Sequence, residues 1–159
     1  MNCDASVLSV CWDADSLFRL ASTKLPEERS ATQTIVRLSA LGFVKSITSK
    51  DAVEDAEKGL LREFGGQSDK VIHELHELLR AYFCVILTPA PEKVQACLSE
   101  VLDDSDAFIL AAARETNCSV LITYNTRHFT RAKRINVLTP KEFVEQVRKA
   151  LWCCFQPPP

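Results

Sequence analysis

The chain has 159 residues, of which 47% are apolar and 25% are charged, and its formal net charge is −2. These values are close to those of an average globular protein, and they exclude a protein that attracts nucleic acid through a strongly basic overall charge. No apolar run approaches the roughly 20 residues that a membrane-spanning helix needs, so we expect no membrane role.

The cysteines and the amino terminus favour a cytoplasmic protein. The seven cysteines are scattered without a Cys-x-x-Cys pair or the Cys/His spacing of a zinc site, and we expect them to be reduced thiols. No positive charge precedes the first short apolar run, which argues against a secretory signal. The expected organisation is a single domain over residues 1–151 followed by a short tail over residues 152–159.

Apolar runs and helix signals alternate along the chain. In chain order, the predicted elements are a strand at 7–12, helices at 15–24 and 30–41, a strand at 43–48, helices at 49–63 and 69–82, a strand at 83–87, helices at 92–102 and 106–116, strands at 119–123 and 136–138, and a helix at 141–151. Strands separated by helices, with apolar strand interiors, predict an α/β fold with a parallel sheet of about five strands covered on both faces.

Acidic side chains follow three of the predicted strands. Those after the first strand are Asp13 and Asp15, those at the start of the helix after the second are Asp51, Glu54, Asp55 and Glu57, and those before the alanine-rich helix are Asp103, Asp104 and Asp106. The fourth strand runs into Asn125. Carboxylates that converge at one edge of a sheet need a cation, and Mg²⁺ and Mn²⁺ prefer oxygen ligands, so the pattern predicts metal-assisted chemistry on a phosphate ester. For any single residue, capping of a helix is the alternative explanation.

Longer motifs point in the same direction. They are VCWDADSLFRLAS, SITSKDAVEDAEKGLL, DDSDAFILAAARETNCSVLITYNTRHF and INVLTPKEFVEQV, which together span about Val7 to Val147. In this order and spacing they resemble the PIN-domain ribonucleases, including the toxin nucleases of toxin–antitoxin pairs. The resemblance implies a Rossmann-like α/β/α sandwich that hydrolyses RNA with Mg²⁺ or Mn²⁺.

The resemblance also implies roles for individual residues. The implied catalytic residues are Asp13, Asp55, Asp106 and Asn125, and the implied metal-binding residues are Asp13, Asp15, Glu54, Asp55, Asp103 and Asp106. Asp55 stands where the family has glutamate, and Glu54 is an alternative for that position. Asp104 is an alternative to Asp103 as an auxiliary ligand. Asn125 stands where many members have aspartate, and an amide oxygen supplies no charge.

Substrate contacts are expected from the hydroxyl of Thr123 and from the basic run that follows Asn125. The basic side chains of that run are Arg127, Arg131, Lys133 and Arg134, which would hold the RNA backbone beside the metal ion. The alternative for the run is a solvated loop. Phe129 is expected to be a core or loop anchor rather than a platform for a base. An antitoxin protein and a second copy of the chain are the further partners that the resemblance suggests.

Two other functions remain open at this point. WDADSLF also resembles the nucleophile motif of haloacid-dehalogenase-type phosphatases, in which Asp13 would attack phosphate and Asp15 would act as the general acid and base. Alternatively, Asp55 in place of the family's glutamate and the uncharged Asn125 fit a degenerate PIN-like module that binds RNA or protein without cleaving it.

The acidic pair is duplicated near the start of the chain, since Asp4 precedes the apolar run that Asp13 follows. The run Val7 to Trp12 can form a central strand only if it ends at Asp13, because the three residues before Asp4 are too few and too polar for one. We therefore expect Asp13 to be the metal ligand and Asp4 to be a surface or capping residue.

Overall fold

The strands pair in parallel throughout the computed structural model, which describes residues 7–22 and 30–155. They are β1 (Leu8–Trp12), β2 (Val44–Ser49), β3 (Phe83–Ile86), β4 (Val120–Ile122) and β5 (Asn136–Leu138). Within the described residues they form one sheet in the order β3-β2-β1-β4-β5. The central strand β1 is buried on both sides, which is why its sequence is an almost continuous apolar run.

Helices cover both faces of the sheet. They are α1 (Ala14–Ser22), α2 (Ala31–Ala40), α3 (Lys50–Phe64), α4 (Ser68–Tyr82), α5 (Pro91–Cys97), α6 (Ala107–Glu115) and α7 (Pro140–Phe155). The alanine-rich α6 packs on β1 and β2, whereas α2 packs on β2 and α7. Right-handed crossovers in opposite directions along the sheet place these two helices on opposite faces. In the part of the chain that the structure describes, no helix is both long enough and apolar enough to cross a bilayer.

The predicted fold class is confirmed, because the sheet is parallel, has five strands and lies between helices. Two predicted ends are wrong. The helix expected at 92–102 ends at Cys97, because a tighter turn follows and Val101 already has extended backbone. The last helix includes residues 152–155, which were expected to be a tail, since no glycine or proline precedes Pro157 to end it. Asp4 and the end of the helix expected at 15–24 lie outside the described residues.

Trp12 aligns the carboxyl ends of β1 and β2. Its buried indole Nε1–H donates a hydrogen bond of 3.0 Å to Ser46 Oγ, and its ring lies edge-on to Phe83 with 5.1 Å between centroids. The hydroxyl of Thr48 donates to the carbonyl oxygen of Trp12 at 3.0 Å. These contacts hold Asp13, the residue after Trp12, beside Ser49, the last residue of β2.

Replacement of Ser46 tests this alignment. We expect Ser46→Ala to lower the free energy of unfolding by about 1–3 kcal/mol, because it leaves the buried indole N–H of Trp12 without its acceptor. Ser39→Ala is the matched control, since the Ser39 hydroxyl contacts Ser46 Oγ at 2.7 Å but not the indole. Urea denaturation measures both variants, and equal losses would contradict the role of the Trp12–Ser46 hydrogen bond.

Candidate active site

The candidate site lies at the carboxyl ends of β1 and β4, where the strand order changes direction. From β1 the chain builds β2 and β3 on one side, and it then returns to place β4 and β5 on the other. The loops that leave β1 and β4 diverge at such a point, and in open parallel sheets they leave a cleft for ligands. A cleft of about 300 Å³ is present here, and its lining includes Asp13, Asp15, Asp106 and Asn125.

Asp13 joins the central strand to α1. Its backbone N–H donates to the carbonyl oxygen of Ile122 at 3.1 Å, so it continues the pairing of β1 with β4, and its carbonyl oxygen accepts from Leu17 N–H in α1. Both carboxylate oxygens are held: Oδ1 accepts from Ala14 N–H at 2.6 Å, and Oδ2 accepts from the Thr123 hydroxyl at 2.8 Å. Only 7% of Asp13 is exposed. The side chain is therefore fixed before any ligand binds.

Asp15 ties the start of α1 to the turn after β4. Its carboxylate accepts from the Tyr124 backbone N–H at 3.2 Å and from the Ser16 hydroxyl at 3.2 Å. Next to it, the Arg19 guanidinium lies 5.5 Å from the centroid of the Tyr124 ring. These contacts keep Asp15 on the same side of the sheet edge as Asp13.

Asp106 reaches the cleft from the loop before α6. Its Oδ2 lies 2.8 Å from Nδ1 of His128, a residue for which the sequence patterns predicted no role. No local sequence signal reveals this contact, because 22 residues separate the two side chains. Asp103 instead caps the short turn that follows it, since its Oδ1 accepts from the N–H and the hydroxyl of Ser105. For Asp103, the capping explanation therefore describes the contacts observed.

The acidic start of α3 forms the opposite wall of the cleft. Asp55 lines it, but its side chain is 57% exposed and its Oδ1 is paired with Lys58 Nζ at 2.8 Å. Glu54 lines it as well, with its side chain 51% exposed and 3.6 Å from Lys50 Nζ. Asp51 lies one turn before Asp55, and the sequence patterns did not predict it as a metal-binding or catalytic residue.

Asp51 has the most enclosed carboxylate oxygen of this wall. Its Oδ1 accepts from the Thr88 hydroxyl at 3.1 Å, whereas its Oδ2 is buried and has no hydrogen-bond partner among the described residues. The sequence held a signal for it, because Asp51 and Asp55 are four residues apart on a helix that begins at the Ser49 cap and so share a face.

Burial raises the pKa of three carboxylates in the cleft. Burial, the charge of Asp15 and more weakly that of Asp106 raise the pKa of Asp13 to about 7. Burial raises the pKa of Asp15 above its usual value, and burial likewise raises the pKa of Asp106 against the opposing hydrogen bond from His128. Raising the pKa of Asp13 from 3.8 to about 7 corresponds to on the order of 4 kcal/mol against its ionisation. Buried, mutually repelling oxygen donors fit a hard divalent cation, which favours their charged forms.

The predicted substrate residues do not gather in this cleft. Thr123 is fully buried behind Asp13, where its hydroxyl contacts the carboxylate, so the structure gives it a supporting position. Arg127 and Arg131 are on the loop after β4 and are not part of the lining. Phe129 is 2% exposed, as the core interpretation expects.

Lys133 and Arg134 lie at the other end of the sheet. They line a separate pocket with Cys118 and Ser119, which precede β4. The physical reason is the direction of β5: a strand parallel to β4 must begin at the amino edge, so the connection carries these two residues away from the cleft. Their position does not support the prediction that they hold RNA beside a metal ion.

Known structures share this fold. The VapBC2 structure from Rickettsia felis, bound to a promoter DNA fragment, has a TM-score of 0.64 and 13% identity over 83% of this chain and 98% of that one. The PAE2754 structure from Pyrobaculum aerophilum has a TM-score of 0.63 and 16% identity, covering 92% and 98%. A toxin–antitoxin complex from Klebsiella pneumoniae has a TM-score of 0.58 and 22% identity, covering 82% and 97%.

The sequence itself matches a family model. No curated protein sequence matches the chain. The model of the PIN domain, however, matches residues 9–127, a segment that runs from β1 to the turn after β4 and contains the acidic residues of the cleft. This match favours the PIN resemblance over the haloacid-dehalogenase one. The chain belongs to the PIN-domain family.

Proposed function

We propose that the chain is a ribonuclease that hydrolyses RNA phosphodiester bonds with Mg²⁺ or Mn²⁺. PIN domains are nucleases that use divalent metal ions, so family membership supports the reaction class. The observation that carries the proposal is the buried Asp13 carboxylate, which faces the charges of Asp15 and Asp106 in an open cleft. That arrangement is costly in a chain without a cation and favourable in one that binds it.

The cation would be held mainly by Asp13 and Asp106, with Asp15 beside them. The wall of α3 would supply a further carboxylate, and Asp51 is a better candidate than Asp55 or Glu54 because its buried Oδ2 has no partner among the described residues. A bound Mg²⁺ or Mn²⁺ lowers the pKa of a water ligand and stabilises charge on a phosphate.

The chain's own residues fix the donors and admit the substrate. The Thr123 hydroxyl and the Ala14 N–H hold the two oxygens of Asp13 in one orientation. The side chain of Asn125 lines the cleft without adding charge, and it would orient a water or a phosphate oxygen through its amide. Lys58 lines the cleft but is paired with Asp55, and Arg127 and Arg131 would contact the RNA backbone outside the cleft.

The proposed function includes two protein partners, an antitoxin and a second copy of the chain. Structures of this fold include toxin–antitoxin complexes, and we propose that an antitoxin regulates this chain in the cytoplasm. A small upstream gene that encodes a DNA-binding protein, and co-purification of its product with this chain, would support that partner. Gel filtration of the chain alone tests the homodimer that the family resemblance suggests.

Cleavage of RNA tests the proposal directly. In Mn²⁺, we expect wild-type chain to cut a mixed RNA pool and Asp13→Asn to be slower by on the order of 100-fold or more, because a principal metal ligand is lost. EDTA abolishes wild-type cleavage. Asp4→Asn is the matched control and retains activity. RNA binding without cleavage by wild type and variant alike would identify a binding module and contradict the proposal.

The pH dependence of stability tests the charge on Asp13. Because the folded pKa of about 7 exceeds the unfolded value of 3.8, Asp13 contributes a loss of stability in EDTA as the pH rises from about 4 to about 7. Asp13→Asn lacks this loss. Its free energy of unfolding should therefore increase relative to that of wild type by up to roughly 4 kcal/mol between about pH 4 and about pH 7. Urea denaturation at each pH measures the difference.

Saturating Mn²⁺ is the control for that pH experiment. It stabilises the charged form of Asp13, so the decline of wild-type stability between about pH 4 and about pH 7 should shrink, while the variant changes little. Parallel curves for wild type and Asp13→Asn in EDTA would show that Asp13 ionises as an ordinary carboxyl.

A further inference from the structure

His128 lies in the turn directly after Asn125 and contacts the loop that carries Asp106. Its backbone N–H donates to the carbonyl oxygen of Asn125 at 2.9 Å. Its backbone carbonyl oxygen accepts from the N–H of Leu102, just before the loop that carries Asp106, also at 2.9 Å. The backbone of His128 therefore joins both loops, whatever its side chain does.

The imidazole makes a third link. Nδ1 of His128 lies 2.8 Å from Oδ2 of Asp106, and the two side chains are only 26% and 15% exposed. An ionised carboxylate offers acceptors only, so Nδ1 carries the proton and donates it. With Oδ2 engaged, the direction of Oδ1 is fixed as well.

The neighbouring Asp103 lies close to this pair but makes its own contacts with Ser105. One carboxylate oxygen of Asp103, one of Asp106 and a ring nitrogen of His128 lie within 4.8 Å of one another. Oδ1 of Asp103 accepts two hydrogen bonds from Ser105, and Nδ1 of His128 lies 2.8 Å from Oδ2 of Asp106. The contacts describe a cap and a held carboxylate.

We propose that His128 is a positioning residue, whose Nδ1–H holds the Asp106 carboxylate in the orientation that binds the divalent cation. This inference rests on the proposed function, because it assigns His128 a task only in a site that binds metal. Hydrogen bonds from outer residues orient metal ligands in many proteins, and their loss weakens metal affinity by about 10–100-fold.

Two substitutions separate positioning from bulk structure. The shorter amide introduced by His128→Asn places an N–H near the former Nδ1, whereas the longer amide introduced by His128→Gln reaches toward the former Nε2; both keep the backbone hydrogen bonds. We expect His128→Gln to weaken Mn²⁺ binding about 10–100-fold in calorimetry on EDTA-treated chain, and His128→Asn to stay within about threefold of wild type. Wild-type affinity in His128→Gln, or equal weakening in both variants, would overturn the proposal.

His76 supplies the matched control within the same chain. Its Nε2 contacts Glu57 Oε1 at 2.6 Å, a histidine–carboxylate contact between α4 and α3 that is exposed and outside the cleft. His76→Gln should leave Mn²⁺ affinity unchanged. Melting of the metal-free variants shows whether each remains folded, so a lost site can be told from a lost fold.

A metal-free measurement tests the inference separately from the proposed function. Two-bond nitrogen–proton NMR correlations at about pH 8 should place a proton on Nδ1 of His128 and on Nε2 of His76, each on the nitrogen that contacts its carboxylate. A proton only on Nε2 of His128 would overturn the positioning role even if the chain binds Mn²⁺. A chain with the expected tautomers that binds no Mn²⁺ would instead contradict the proposed function.

Discussion

Burial of the Asp13 carboxylate at the end of the central strand is the constraint on which the site depends. Two hydrogen bonds, from Ala14 and Thr123, hold the carboxylate, but burial and the neighbouring negative charges still raise its pKa to about 7. A hydrophobic residue there would stabilise the fold more simply. The chain therefore retains a buried acid at a cost in stability, as expected where a cation supplies the missing charge.

The sheet turns this local constraint into a shared site. β1 pairs with β2 on one side and β4 on the other, so their carboxyl ends bring Ser49 and Thr123 beside Asp13. Trp12 aligns β1 with β2 through its hydrogen bond to Ser46, and the hydroxyl of Thr123 donates a hydrogen bond to Asp13. The same strand order opens the cleft between diverging loops. Packing and chemistry are thus linked at neighbouring residues, Trp12 in the core and Asp13 at its edge.

The pattern of apolar residues was enough to predict the α/β fold with a parallel sheet. It also predicted which acidic residues directly follow the strands. The apolar run before Asp13 and the alanine-rich helix after Asp106 set where those acids would lie. The contrast between Asp51 and Asp55 could not be predicted in this way, because it depends on which carboxylate is enclosed and which one Lys58 pairs with. Nearness in sequence does not mean nearness in space here. Lys133 follows Asn125 by eight residues, yet the connection to β5 carries it to the amino edge of the sheet, opposite the cleft.

The proposed site requires Asp13 and Asp106 to share one divalent cation. Crystals of the wild-type chain grown with Mn²⁺, with diffraction recorded near the manganese absorption edge, locate the ion by its anomalous scattering. We expect a peak within about 2.5 Å of a carboxylate oxygen of Asp13 and of Asp106, with Asp51 closer to it than Asp55. A peak held by Asp103 and His128 without Asp13, or no peak in the cleft at saturating Mn²⁺, would contradict it.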